Sequence, residues 1–95
     1  MEIIHQVLKK NGRFYSENDQ TMVAELTYVK SGYNKIIIDS SFVHPSLDKE
    51  EILIQLIKKL FDFAVVNKLQ IINFCNDVKQ LADENEKYAS LIYSI

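Results

Sequence analysis

Two β-forming runs separated by one long apolar helix constrain this chain more than any other feature. The first run, "KIIIDSSFV" at residues 35–43, is the most strand-like stretch in the sequence. Simple alternation puts Ile36, Ile38, Ser40 and Phe42 on one side and Ile37, Asp39, Ser41 and Val43 on the other. Large apolar groups on both sides predict a central strand covered on both faces. His44-Pro45 ends it. The second run is "LQIINFC", residues 69–75. Between them, from about Lys49 to Lys68, Leu53, Leu56, Ile57, Leu60, Phe61 and Ala64 recur at helical spacing. Glu51, Gln55, Lys58, Lys59 and Asp62 form the wet side of that helix. A strand, a helix and a strand in this order predict a right-handed crossover with the two strands parallel.

The residues upstream read as antiparallel strands. "EIIHQVL" is short and rich in β-branched residues, and Asn11-Gly12 follows as a hairpin signal. "RFYS" is the returning strand and "ENDQ" a polar turn. "TMVAELTYVK" alternates, with Met22, Ala24, Leu26 and Tyr28 on one side. In "SGYN", Gly32 supplies the turn's unusual backbone angle. After Cys75, "NDVKQLADEN" predicts a short helix capped by Asn76, with Val78, Leu81 and Ala82 inside. "EKYASLIYSI" closes as a helical turn or a strand, packed by Tyr88, Leu91 and Ile92. The whole is one α+β domain, residues 1–95.

Composition excludes several function classes. Eleven Lys and Arg against thirteen Asp and Glu, spread along the chain, leave no basic block for nucleic acid. The apolar runs are too short to span a membrane. The start "MEIIHQVLKK" lacks a signal-peptide layout. A lone cysteine, Cys75, excludes an internal disulfide and a cysteine zinc cluster, and His5 is isolated, so no metal is expected. A reduced, cytoplasmic setting is the natural expectation.

The helix start is the chemically informative place. N–H groups opening a helix can hold a phosphate, yet three of the four residues Asp48 to Glu51 are acidic. Asp48 and Glu51 have capping-box spacing. The Asp48 carboxylate would take the Glu51 N–H, and Glu51 would reach back to the N–H of Asp48. Each acid also complements the helix dipole, by about 0.3–1 kcal/mol. On this reading neighbouring carboxylates already occupy the donors.

The order of elements resembles the GNAT-type N-acetyltransferases, and more narrowly their minimal single-domain bacterial branch. The residues that carry it are "FYSENDQTMVAELTYVK", the stretch from "KIIIDSSFV" through "LQIINFC", and "DENEKYASLIY". The resemblance implies a GNAT-like fold with a splayed parallel strand pair and a short C-terminal helix. It also implies acetyl-CoA, or coenzyme A, as cofactor. In that family the helix start reads Arg or Gln, two residues, Gly, one residue, then Gly or Ala. Here the signature falls on Asp48-Lys49-Glu50-Glu51-Ile52-Leu53, with Glu51 and Leu53 at the small positions and Glu50 where this branch has Gln.

By the same resemblance, the cofactor-binding residues are Phe42, Val43, Lys49, Glu50, Glu51, Ile52 and Leu53. The pantetheine arm would pair with the strand backbone at Phe42 and Val43, with Phe74 and Cys75 opposite. Cys75 is the candidate catalytic residue beside the thioester, or else a small buried hydrophobe. His44 is the neighbour that could approach it. Ser40 stands where the branch commonly has histidine, while Asp39 matches the pattern. Tyr88 matches a tyrosine of the C-terminal segment and either contacts ligand or covers the core. Two functions stay open: acetyl transfer to an unidentified amine, or an interaction module that has lost the cofactor, possibly homodimeric through a strand edge. A sensor that binds coenzyme A without catalysis is a third.

Overall fold

The computed structural model describes residues 1–84 and the backbone of residues 92–93. Strands β1 (Ile4–Val7), β2 (Asn11–Asn18), β3 (Thr21–Ser31) and β4 (Lys35–Val43) form an antiparallel meander. Helix α1 (Lys49–Val66) leads to β5 (Gln70–Asn73), which is parallel to β4. Helix α2 (Asn76–Asp83) follows, and β6 (Ile92–Tyr93) pairs parallel with β5. The sheet order is the chain order, and the architecture is the α+β fold the sequence predicts. Tyr88 and Leu91 lie outside the described residues.

One face of the sheet carries the core. Leu53, Leu56, Ile57, Leu60, Phe61 and Ala64, the predicted stripe, are all buried against Phe14, Leu26, Tyr28, Ile36, Ile38 and Ile71. Each large side chain so removed from water contributes about 1.5–3 kcal/mol. Val78 and Ala82 bury the inner side of α2. The other sheet face is half-covered: Tyr15, Val29, Ile37 and Ile72 are only part-buried, so β4 is central but not sandwiched.

Two bulges change which side chains face the core. The β2–β3 register skips Val23, so Met22 leaves the Ala24–Leu26–Tyr28 row and meets Arg13 on the opposite face. The β3–β4 register passes from Tyr28↔Ile38 to Thr27↔Ser40, leaving Asp39 as the extra residue. Beyond it the alternation inverts. Ser41 and Val43, not Ser40 and Phe42, continue the helix-facing side of Ile36 and Ile38.

The turn chemistry also departs from the sequence reading. The two-residue hairpin turn is Asp19-Gln20, both with positive φ, as a type I′ turn requires. The first turn lies earlier, with the Leu8 N–H bonded to the Asn11 carbonyl, and Gly12 sits inside β2 opposite Tyr28. Its role is space: any Cβ there would strike the Tyr28 ring. Gly32 does adopt a positive φ of 66°, as expected. Helix α1 ends two residues before Lys68 in a Schellman motif, with Lys68 N–H on the Val65 carbonyl and Leu69 N–H on that of Ala64. Lys68, at φ 55°, holds the left-handed position usually given to glycine.

Candidate functional site

The β4–β5 ladder runs from Lys35↔Gln70 to Ile38↔Asn73 and closes with the Phe74 N–H on the Ile38 carbonyl, 3.0 Å. β4 then continues to Val43 paired with β3 alone. Two local devices part the strands. The Asp39 bulge bends β4. Asn73 folds onto the chain ahead: its Oδ1 accepts the Cys75 N–H and its Nδ2 donates to the Cys75 carbonyl, each 3.0 Å. That double bond stops β5 and turns the backbone into α2, with Cys75 at the N-cap. Asn76 is therefore the first helical residue and not the cap, because Asn73 already holds the preceding peptide. The consequence is a splay in which the β5-facing backbone of residues 39–43 has no strand partner among the described residues.

The flanks of this splay differ in character. Phe42 pairs with Glu25 on the face away from the helices and is 42% exposed, while Val43 packs part-buried toward the core. Phe74 is 64% exposed. Across the gap, Cys75 Sγ lies 3.4 Å from Ser41 Oγ, which is itself 3.4 Å from Asp77 Oδ2. The same Asp77 oxygen is 3.0 Å from Lys49 Nζ. Beside this chain a cleft of about 240 Å³ opens between the helix starts, lined by Lys49, Glu50, Leu53, Asp77, Gln80 and Leu81.

The opening of α1 forms half of the expected capping box. Asp48 Oδ1 accepts the Glu51 N–H at 3.0 Å, and the Ile52 N–H goes to the Asp48 carbonyl at 3.1 Å. Among the described residues Glu51 does not return a bond to Asp48. The N–H groups of Lys49 and Glu50 have no acceptor within the helix. So one donor, not all, is satisfied from within. Of the five loop residues expected to hold cofactor, Lys49, Glu50 and Glu51 are exposed, whereas Ile52 and Leu53 are buried in the core. Their side chains serve packing; only their backbone faces the loop chemistry.

Other candidates resolve individually. His44 Nδ1 accepts the Ser46 N–H at 3.1 Å and meets Ser46 Oγ at 2.8 Å. It closes its own loop and does not pair with Cys75. Thr27 Oγ1 donates to the Asp39 carboxylate and lies 2.6 Å from Ser40 Oγ, a polar cluster at the bulge. His5 is not isolated: its Nε2 is 2.6 Å from Tyr28 OH, its ring stacks on Phe14 at 4.0 Å, and Phe63 meets it edge-on at 4.6 Å. Burial, then the Lys30 charge, lower the His5 pKa; burial raises that of Tyr28. No group of three metal-ligating side chains forms among the described residues. Ser41, Asn73 and Asp77 were not singled out from sequence. An Asn that ends a strand is an Asx-turn signal that could have found Asn73; nothing local marks Ser41.

Coenzyme A fits this geometry unequally. The open β4 edge suits the amide-bearing pantetheine arm. The diphosphate would meet Asp48, Glu50 and Glu51 beside the cation of Lys49, which already faces Asp77.

Comparison with known proteins places the fold. A GCN5-like candidate N-acetyltransferase from Staphylococcus aureus, solved in solution by NMR, superposes with a TM-score of 0.73 at 24% identity. The match covers 97% of this chain and 89% of that one. Ribosomal-protein-alanine N-acetyltransferase from Brucella melitensis biovar Abortus 2308 gives 0.62 at 16% identity, covering 93% of this chain and 65% of that one. No curated protein matches the sequence. The family model for GCN5-related N-acetyl-transferase matches residues 13–91, from within β2 through the splay and both helices, and the chain belongs to that family.

Proposed function

We propose that the protein transfers an acetyl group from acetyl-CoA to an amine at the β4–β5 splay. The observation that carries this reading is the unpaired β4 edge from Asp39 to Val43, opened by a bulge on one side and by the Asn73 clamp on the other. When bound, acetyl-CoA supplies a thioester whose carbonyl carbon bonds to the amine nitrogen as the carbon–sulfur bond breaks and the amine proton goes to the coenzyme sulfur. The backbone at Phe42 and Val43 aligns the pantetheine amides as an added strand would. Cys75, held beside Ser41, would pass its thiol proton to the departing coenzyme sulfur and take the amine proton in its place. Lys49 and the N–H groups of Lys49 and Glu50 receive the diphosphate, and Glu51, Ile52 and Leu53 contribute main chain to the same turn.

A second reading, an interaction module that no longer binds the cofactor, is favoured by one observation: Asp48 occupies the Glu51 N–H. Thermal melting with acetyl-CoA separates the two. Ligand at a hundred times its Kd adds about 2.7 kcal/mol of stability, so a clear rise in Tm supports the enzyme reading. An unchanged Tm, also unchanged in Glu50→Gln/Glu51→Gln, supports the module. If the wild type responds, an amine panel with mass detection of product tests transfer. Leu53→Gly is not a usable probe of the loop, because Leu53 is core and its loss costs about 2–5 kcal/mol.

A further inference from the structure

We infer that the end of the molecule remote from the splay is a docking surface for an acidic segment of a partner protein. The lysines that look scattered in sequence are gathered there by the topology. The β1–β2 turn holds Lys9 and Lys10. The Lys30 N–H bonds the Lys10 carbonyl, and Lys30 Nζ donates to the Leu8 carbonyl at 3.3 Å. Lys35 opposes Ser31 on one side and Gln70 on the other, and Lys68 sits in the turn just before Gln70. Residues 8–11, 30–36 and 66–70 contain no Asp or Glu. Lys9, Lys10, Lys30 and Lys68 are exposed and make no ion pair among the described residues. The opposite end has the reverse character, with Glu17 and Asp19 at the β2–β3 hairpin and Asp48, Glu50 and Glu51 at the start of α1.

A groove of about 400 Å³ runs through the basic end between the β3–β4 turn and the end of α1. Its lining includes Phe63, Asn67, Leu69 and Tyr33, and Tyr33 is 95% exposed. Val65 and Val66 are exposed nearby on the last turn of α1. Lysines beside an apolar slot match carboxylates flanking one aromatic or aliphatic side chain. A nucleic acid strand fits less well. It would run past the patch toward the acidic end, and among the described residues Tyr33 is the one aromatic ring here exposed enough to stack on a base. The 11 residues of β3 separate the two ends, so a partner held here leaves the splay open. The inference does not depend on acetyl transfer.

The test is fluorescence anisotropy of the full chain with a short labelled glutamate-rich peptide carrying one central phenylalanine. Binding that weakens about tenfold between low and physiological ionic strength is expected. Lys9→Glu/Lys10→Glu/Lys68→Glu abolishes it, Tyr33→Ala weakens it several-fold, and the equal-sign change Lys58→Glu/Lys59→Glu on α1 leaves it intact. Circular dichroism confirms that each variant is folded. Absence of binding by the wild type, equal loss in both charge-reversal variants, or tighter binding of a single-stranded RNA of similar length overturns the inference.

Discussion

Lys49 Nζ sits 3.0 Å from Asp77 Oδ2, so the first residue of one helix is tied to the second residue of the other across the mouth of the splay. The same carboxylate reaches Ser41, which reaches Cys75. Asp77 therefore draws on the Lys49 cation at the loop and adds a negative charge beside it. An exposed pair of this kind is worth up to about 1 kcal/mol. Asp77→Asn should raise affinity for coenzyme A about fivefold by titration calorimetry. Unchanged or weaker binding would remove Asp77 from the competition.

Gly12 and Tyr28 give a packing prediction. Any side chain at residue 12 enters space the Tyr28 ring fills, and that ring is wedged in turn by His5 and Phe63. Gly12→Ala should cost about 1–3 kcal/mol in urea unfolding. If the loss is instead the few tenths typical of a surface site, the ring has room to move and the packing account fails.

The part-buried imidazole of His5 makes stability depend on pH. Because the folded chain lowers the His5 pKa below its ordinary value of 6.5, the unfolded chain binds the proton first as pH falls. Stability from the neutral ring is fully present above 6.5, is lost as pH drops through that value, and levels off below the folded pKa. Chemical denaturation from pH 8 to pH 5 should show this decline, and His5→Gln should flatten that part of the curve. An NMR titration of His5 with a midpoint above 6.5 would reverse the sign.

Lys68 carries the left-handed conformation at the end of α1 with a Cβ. That conformation costs a non-glycine residue about 1 kcal/mol. Lys68→Gly should stabilise the protein by a part of this, since glycine also gains freedom in the unfolded chain. A lower denaturation midpoint would mean that the lysine side chain contributes more than its backbone strain removes.

Much of the fold was readable because the signals were local. The stripe from Leu53 to Ala64 and the alternation of Ala24, Leu26 and Tyr28 depend on spacing alone, and both are buried as spaced. The misreadings have one cause. Asn11-Gly12 looks like a turn because local preference favours it, but residue 12 is glycine for a ring sixteen positions away in sequence. Met22 and Phe42 were placed on the wrong sides because a bulge arises from strand pairing and leaves no mark in the alternation. At the candidate site, the acidic helix start was legible, and Asp48 does cap it. The Cys75–Ser41–Asp77–Lys49 chain was not, since it joins three elements far apart in sequence.

The sequence by itself determined the order and type of the elements, the buried stripe of α1 and the carboxylates at its start, because helix and strand periods and capping act within a few residues. Only the tertiary structure decided where β4 leaves β5, which side Phe42 takes, and that lysines at 9, 10, 30 and 68 share one end of the molecule. Those outcomes follow from strand register and chain reversal, which bring distant charges and side chains within reach of one another and which no short window of residues contains.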